Sequence, residues 1–202
     1  MSTAAATAAA AHGSQFDTNT GISHAKLGTW AFLASEIMLF GGLISAYVIL
    51  RSGSSHMAIP PRALMGVPLA TFNTFALITS SVTMVLALAA IKENDIPKFA
   101  RYIGATIGGG CIFLVVKAYE YHHKWEEGIT ISSNLFGSFY YTLTGLHVLH
   151  VTGGILLMLF ILITGLRGAY SPENHERVEA AGLYWHFVDL VWVILFPILY
   201  LL

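Results

Sequence analysis

Charge is scarce in this chain. Charged side chains make up 10% of its 202 residues and hydrophobic ones 55%, whereas soluble domains carry about 25% charge. Water is therefore excluded as its main solvent. No basic excess exists either, with 10 Lys and Arg against 11 Asp and Glu, which leaves neither a nucleic-acid footprint nor a polybasic lipid-binding tail. Cysteine is nearly absent. The single Cys111 lies in an apolar run, which excludes an internal disulfide, a thiolate zinc site and a covalent c-type haem. No Lys or Arg precedes Lys26, so the start reads neither as a signal peptide nor as a transit peptide. Residues 1–25, Ala-rich and then polar, are expected to form a mobile N-terminal tail.

What is abundant is apolar length. A membrane-crossing helix needs about 20 mostly apolar residues, and five stretches meet this: Leu27 to Leu50, Pro68 to Ile91, Phe99 to Tyr121, Leu135 to Leu166 and Ala180 to Leu202. Short segments separate them, Arg51 to Met65 with Pro60 and Pro61, Lys92 to Lys98 with Asn94 and Pro97, Lys124 to Asn134, and Arg167 to Glu179 with Pro172, as expected of loops. The expectation is an all-α, polytopic bundle of five transmembrane helices forming a single membrane domain over residues 26–202. The fourth stretch exceeds one span and should tilt or project. Lys26, Lys92, Lys98, Arg101, Arg167 and Arg177 fall on one side, and Arg51, Arg62 and Lys124 on the other. Basic loop residues stay on the cytoplasmic side, so the N-terminus is expected inside and the C-terminus outside.

Small residues point to helix packing. Gly104 and Gly108 form a G-x-x-x-G step, followed by Gly109 and Gly110, and further pairs occur at Gly41–Gly42 and Gly153–Gly154. Such positions let helix backbones approach closely. Trp125, Trp185 and Trp192 carry the amphipathic rings that membrane interfaces favour, Trp125 fitting an interface anchor best. Asn73 reads as an interhelical hydrogen-bonder.

Ionisable residues inside a membrane span cost at least about 2.5 kcal/mol each and are default functional candidates. Glu36 stands mid-way along the first stretch with no basic residue one turn away. It is either a proton-handling or subunit-contact carboxyl, or one that merely hydrogen-bonds a neighbouring helix. Lys117 and Glu120, three apart, share a helix face and can neutralise each other. His147 with His150, and His186 with Asp189, have the same spacing. A metal reading of these residues fails on ligand number: a di-iron bundle needs two Glu-x-x-His elements plus two glutamates, and only Glu120 to His123 has that spacing. The expected arrangement is that His147, His150, His186 and Asp189 bond to one another, to Tyr140, Tyr141 or Tyr184, and to backbone carbonyls.

Three stretches give the sequence a recognisable wording. They are SEIMLFGG from Ser35 to Gly42, FYYTLTGLHVLHVTG from Phe139 to Gly153, and YWHFVDLVW from Tyr184 to Trp192. A weaker fourth is KAYEY from Lys117 to Tyr121, followed by ITIS from Ile129 to Ser132. In this order they resemble cytochrome c oxidase subunit III, in the short five-helix form found in bacteria. The resemblance implies a multi-pass protein of the bacterial inner (plasma) membrane, an accessory subunit of a haem-copper terminal oxidase in aerobic electron transport. It implies subunits I and II, membrane phospholipid and a respiratory supercomplex as partners. Haem and copper are expected in the partner subunits and not in this chain, whose role is to sustain proton uptake and the durability of subunit I. Glu36 matches the carboxyl that faces subunit I. A quinol oxidase subunit III is the alternative within this family. A small transporter is less consistent with an odd helix number and no inverted repeat, and a stand-alone metalloenzyme would need more ligands.

Overall fold

The computed structural model describes residues 24–53 and 66–201. The tail assigned to residues 1–25 lies outside them up to residue 23, as does most of the segment carrying Pro60, Pro61 and Arg62. Five helices fill the described residues: α1 (His24–Gly53), α2 (Val67–Lys92), α3 (Ile96–Glu126), α4 (Leu135–Leu166) and α5 (Glu176–Phe196), with a π-helical turn at Pro197–Leu201. All five are long and apolar enough to cross a membrane.

Local chemistry sets their ends. Gly66 takes a left-handed φ of 66° before α2, with Pro68 in the first turn, where its missing N–H costs nothing. Only Glu93, Asn94 and Asp95 separate α2 from α3, making a tight antiparallel hairpin. Asp95 caps α3 by accepting from the Lys98 backbone N–H at 3.0 Å. That bond, with the ammonium of Lys98 at 2.9 Å, holds the Asp95 carboxyl below its ordinary pKa of 3.8. Asn134 caps α4 by accepting from Gly137 N–H at 2.6 Å, and Gly168, at φ 78°, ends it in the left-handed region glycine tolerates. At 32 residues, α4 is roughly 48 Å long, well beyond one hydrocarbon span of about 30 Å. Pro197 supplies no N–H for the next helical bond, and the chain continues as the wider π turn.

α2 and α3 form the most extensive helix pair, and α4 and α5 pack against them. α1 leans mainly on α5 and touches α4 less. Only 17% of its apolar stretch is buried, against 44% for α5, so α1 is the peripheral helix.

The expected glycine step is corrected. Among the described residues nothing stands within 4 Å of a Cβ on Gly104 or Gly108, whereas one on Gly109 would meet Ser80 at 2.7 Å. Trp185 is wedged between α3 and α4, its ring atoms 2.8 Å from a Cβ at Gly110 and 2.7 Å from one at Gly154. Trp185 and Trp192 are also not interfacial: both are fully buried. Their indole N–H groups donate to Ser80 Oγ at 3.1 Å and Thr74 Oγ1 at 3.0 Å, two hydroxyls of α2 that remove the cost of burying an indole donor. Trp125, at the end of α3, is 67% exposed. Asn73 reaches from α2 toward the Phe113 carbonyl of α3 at 3.5 Å.

Candidate functional site

Polar groups gather at two places in this apolar body. The first lies where α3 ends, α4 begins and the π turn closes the chain. Lys117, Glu120 and Lys124, at helical positions i, i+3 and i+7, are all buried on one face of α3. The Lys117 ammonium donates to Glu120 Oε2 at 3.0 Å, to the Tyr140 phenol at 3.2 Å and to the Tyr200 phenol. Its three donors are thus used. Tyr140 and Tyr200 each donate to Glu120 Oε1 at 2.7 Å. Lys124 Nζ stands 3.9 Å from the same oxygen and 5.2 Å from the centre of the Tyr140 ring. Aromatic rings surround Lys117, those of Tyr121, Tyr140, Trp192 and Tyr200 lying 5.0 to 5.4 Å from its nitrogen. Hydrogen bonds and ring faces together offset the desolvation of a buried ion pair.

Sequence spacing puts Lys117 and Glu120 on one face, whereas the apolar stretch ending at Tyr121 leaves Lys124 to the following loop. The structure puts it inside the cluster, 2% exposed, and its i+7 relation to Lys117 was the available signal. Tyr200 carried no signal, because it reaches the cluster only through the turn that Pro197 imposes.

The second place is at mid-depth on α1. Glu36 lies 12 positions after His24, roughly 18 Å along the helix axis. Its Oε2 is 3.0 Å from His150 Nε2 of α4, and the two side chains are 13% and 16% exposed. The other ring nitrogen, Nδ1, lies 2.7 Å from the Leu146 carbonyl. Tyr184 of α5 donates to the His150 carbonyl at 2.9 Å, and Phe40 meets the imidazole edge-on at 5.3 Å. His150 of α4 is therefore tied to α1 through the Glu36 carboxyl and to α5 through Tyr184. A groove of about 550 Å³ runs from here toward Arg177, walled by Phe32, Gly153, Leu157 and Tyr184.

The remaining pairs do not form as expected. His147 is not bonded to His150: its ring stacks on Trp192 at 5.1 Å and meets Phe113 edge-on at 5.3 Å, with neither nitrogen hydrogen-bonded among the described residues. His186 is not bonded to Asp189, and pairs instead with Ser81 of α2, Nδ1 to Oγ 2.5 Å. Neither carboxyl oxygen of buried Asp189 has a hydrogen-bond partner among the described residues. Spacing of i and i+3 put each pair on one face, but at that spacing the rings reached out to other helices. Among the described residues no three His, Cys, Asp or Glu side chains group so as to hold a metal ion.

Five long apolar helices, a charged cluster at one end and a carboxyl at mid-depth define a multi-pass helical membrane protein. The sequence matches the family described as Cytochrome c oxidase subunit III over residues 4–202. It is 45% identical over 178 residues to the cytochrome c oxidase subunit 3 of Synechocystis sp., covering 87% of this chain and 74% of that protein. It is 39% identical over 180 residues to the one from Thermostichus vulcanus, covering 87% and 86%. A probable cytochrome c oxidase subunit 3 of Nocardia farcinica is 34% identical over 175 residues, with the same coverage. The chain belongs to the cytochrome c oxidase subunit III family. It is an accessory subunit of a haem-copper oxidase, and so part of an oxidoreductase complex.

Proposed function

We propose that this chain works beside oxidase subunits I and II in a bacterial inner membrane, with its N-terminus inside, and sustains proton uptake and the durability of subunit I. It supplies no redox centre in this reading. The observation that carries it is the Glu36–His150 contact at 3.0 Å, on the helix that is least covered by the other described residues. A carboxyl at this depth is costly, and its flank includes Ile37 at 60% and Met38 at 79% exposure. That apolar face suits a subunit I contact. The groove toward Arg177, apolar along its length and cationic at its mouth, suits the acyl chain and anionic headgroup of a phospholipid.

The test is a pair of variants in the assembled oxidase. Glu36→Gln keeps size and hydrogen bonding but cannot titrate, whereas Glu36→Leu removes both. A protonic role requires both variants to slow proton uptake or shorten the active life of the enzyme while assembly stays intact. A packing role requires only the Leu variant to lose this subunit. Unchanged turnover, inactivation rate and assembly in both variants would remove Glu36 from any functional account.

A further inference from the structure

The hydrogen bonds of His150 fix more than its orientation. Its Nδ1 faces the Leu146 carbonyl at 2.7 Å, and a carbonyl oxygen only accepts, so Nδ1 carries a hydrogen. Flipping the ring would lose both this bond and the one to Glu36. The remaining nitrogen, Nε2, sits 3.0 Å from Glu36 Oε2, and a proton must lie between two lone-pair atoms for that contact to attract.

We infer that Glu36 and His150 are a single-proton dyad, His150 being the positioning residue that keeps one proton at Glu36 inside the membrane. The proton lies on Nε2, giving imidazolium and carboxylate, or on Oε2, giving imidazole and carboxylic acid. In both forms Nδ1–H stays on the Leu146 carbonyl and the dyad is neutral. Neutrality explains how a glutamate stands at this depth, since an unpaired buried charge would cost far more. Loss of the proton would set a lone pair against a carboxylate and break the contact between α1 and α4. The groups facing the dyad are the Tyr184 phenol of α5, bonded to the His150 carbonyl, and His147 one turn away on α4. The two side chains are 13% and 16% exposed within this chain, on the side of α1 that the proposed subunit I contact would cover.

This inference deepens the proposed role of Glu36 and rests on that reading only for the use made of the proton. The test is proton counting in the intact oxidase at neutral pH. Nitrogen NMR of labelled histidine reads the His150 ring, infrared absorption reads the Glu36 carboxyl, and each signal is assigned by its loss in His150→Gln or Glu36→Gln. The expected result is one proton across Nε2 and Oε2, with Nδ1 protonated throughout. Zero or two protons, or a His150 protonated at Nε2 and bare at Nδ1, would overturn it. Should His150→Gln fail to assemble, the wild-type histidine signal that changes in Glu36→Gln gives the same count. One shared proton together with unaltered proton uptake in Glu36→Gln would leave the dyad standing and sink the functional reading alone.

Discussion

The phenol of Tyr200 donates to Glu120 Oε1 at 2.7 Å across 80 residues of sequence while accepting from Lys117. Two residues that sequence separates widely thus complete one hydrogen-bonded unit, and its parts should fail unequally. Tyr200→Phe removes two bonds to charged groups, one to Glu120 and one from Lys117, but leaves the ion pair itself, and should cost at least about 1.5–3 kcal/mol. Glu120→Leu takes the carboxylate from two buried ammonium groups, Lys117 and Lys124, and should cost about 3–5 kcal/mol, Lys117→Met leaves Glu120 beside Lys124 and should cost less, and the double variant, in which Lys117 is no longer stranded, should be more stable than Glu120→Leu alone. Thermal midpoints of the detergent-solubilised complex check the order. A double variant as unstable as the worse single would contradict it.

Packing around Trp185 gives a second expectation. Gly154→Val places methyl groups where the indole already lies and should destabilise by about 1–3 kcal/mol. Gly104→Ala and Gly108→Ala, facing open space, should be close to neutral. Equal losses at all three positions would mean that Gly104 and Gly108 are covered by a partner in the complex, which the same measurements on the isolated subunit would separate.

Reporter fusions at the two chain termini should label opposite sides of the membrane, the N-terminal one inside. Burial of Lys124 removes one basic residue from the opposite side's loops and strengthens the asymmetry on which this rests. Labelling on the same side would require an even number of crossings.

Acid should expose the Asp95 cap. Its carboxyl is held below 3.8 by the Lys98 backbone N–H first and the Lys98 side chain second, so its contribution is present above that pH and is lost as pH falls through the lower folded value. The stability gap between wild type and Asp95→Ala should therefore be constant at higher pH and narrow only below 3.8. A gap that persists unchanged there would mean that the charge contributes nothing.

Five helices were legible because apolar length is a one-dimensional property, whereas the glycine ends at Gly66 and Gly168 emerge only from the backbone conformation. Which face each helix buries was not. The apolar residues of α5 are spread around the helix without a single stripe, so nothing along it distinguishes interfacial tryptophans from the buried Trp185 and Trp192, and only the hydroxyls of Ser80 and Thr74 on α2 decide their place. Spacing within α3 identified Lys117 with Glu120 and could have included Lys124. Glu36 stood out as costly, but its partner lies 114 residues away on α4, a relation that helix crossing sets and no local pattern encodes. The same limit explains His147 and His186, whose partners on other helices replaced the near neighbours that spacing suggested.

The π turn that carries Tyr200 into the charged cluster has a consequence for synthesis. Tyr140 follows Lys117 by 23 residues, but Tyr200 follows it by 83, roughly 4 to 17 s of translation at about 5–20 residues per second. Throughout that interval α3 must hold Lys117 and Glu120 with part of their hydrogen bonding missing. The charged cluster therefore closes only once the last helix and its π turn have been delivered, which makes it a late event in the assembly of the bundle.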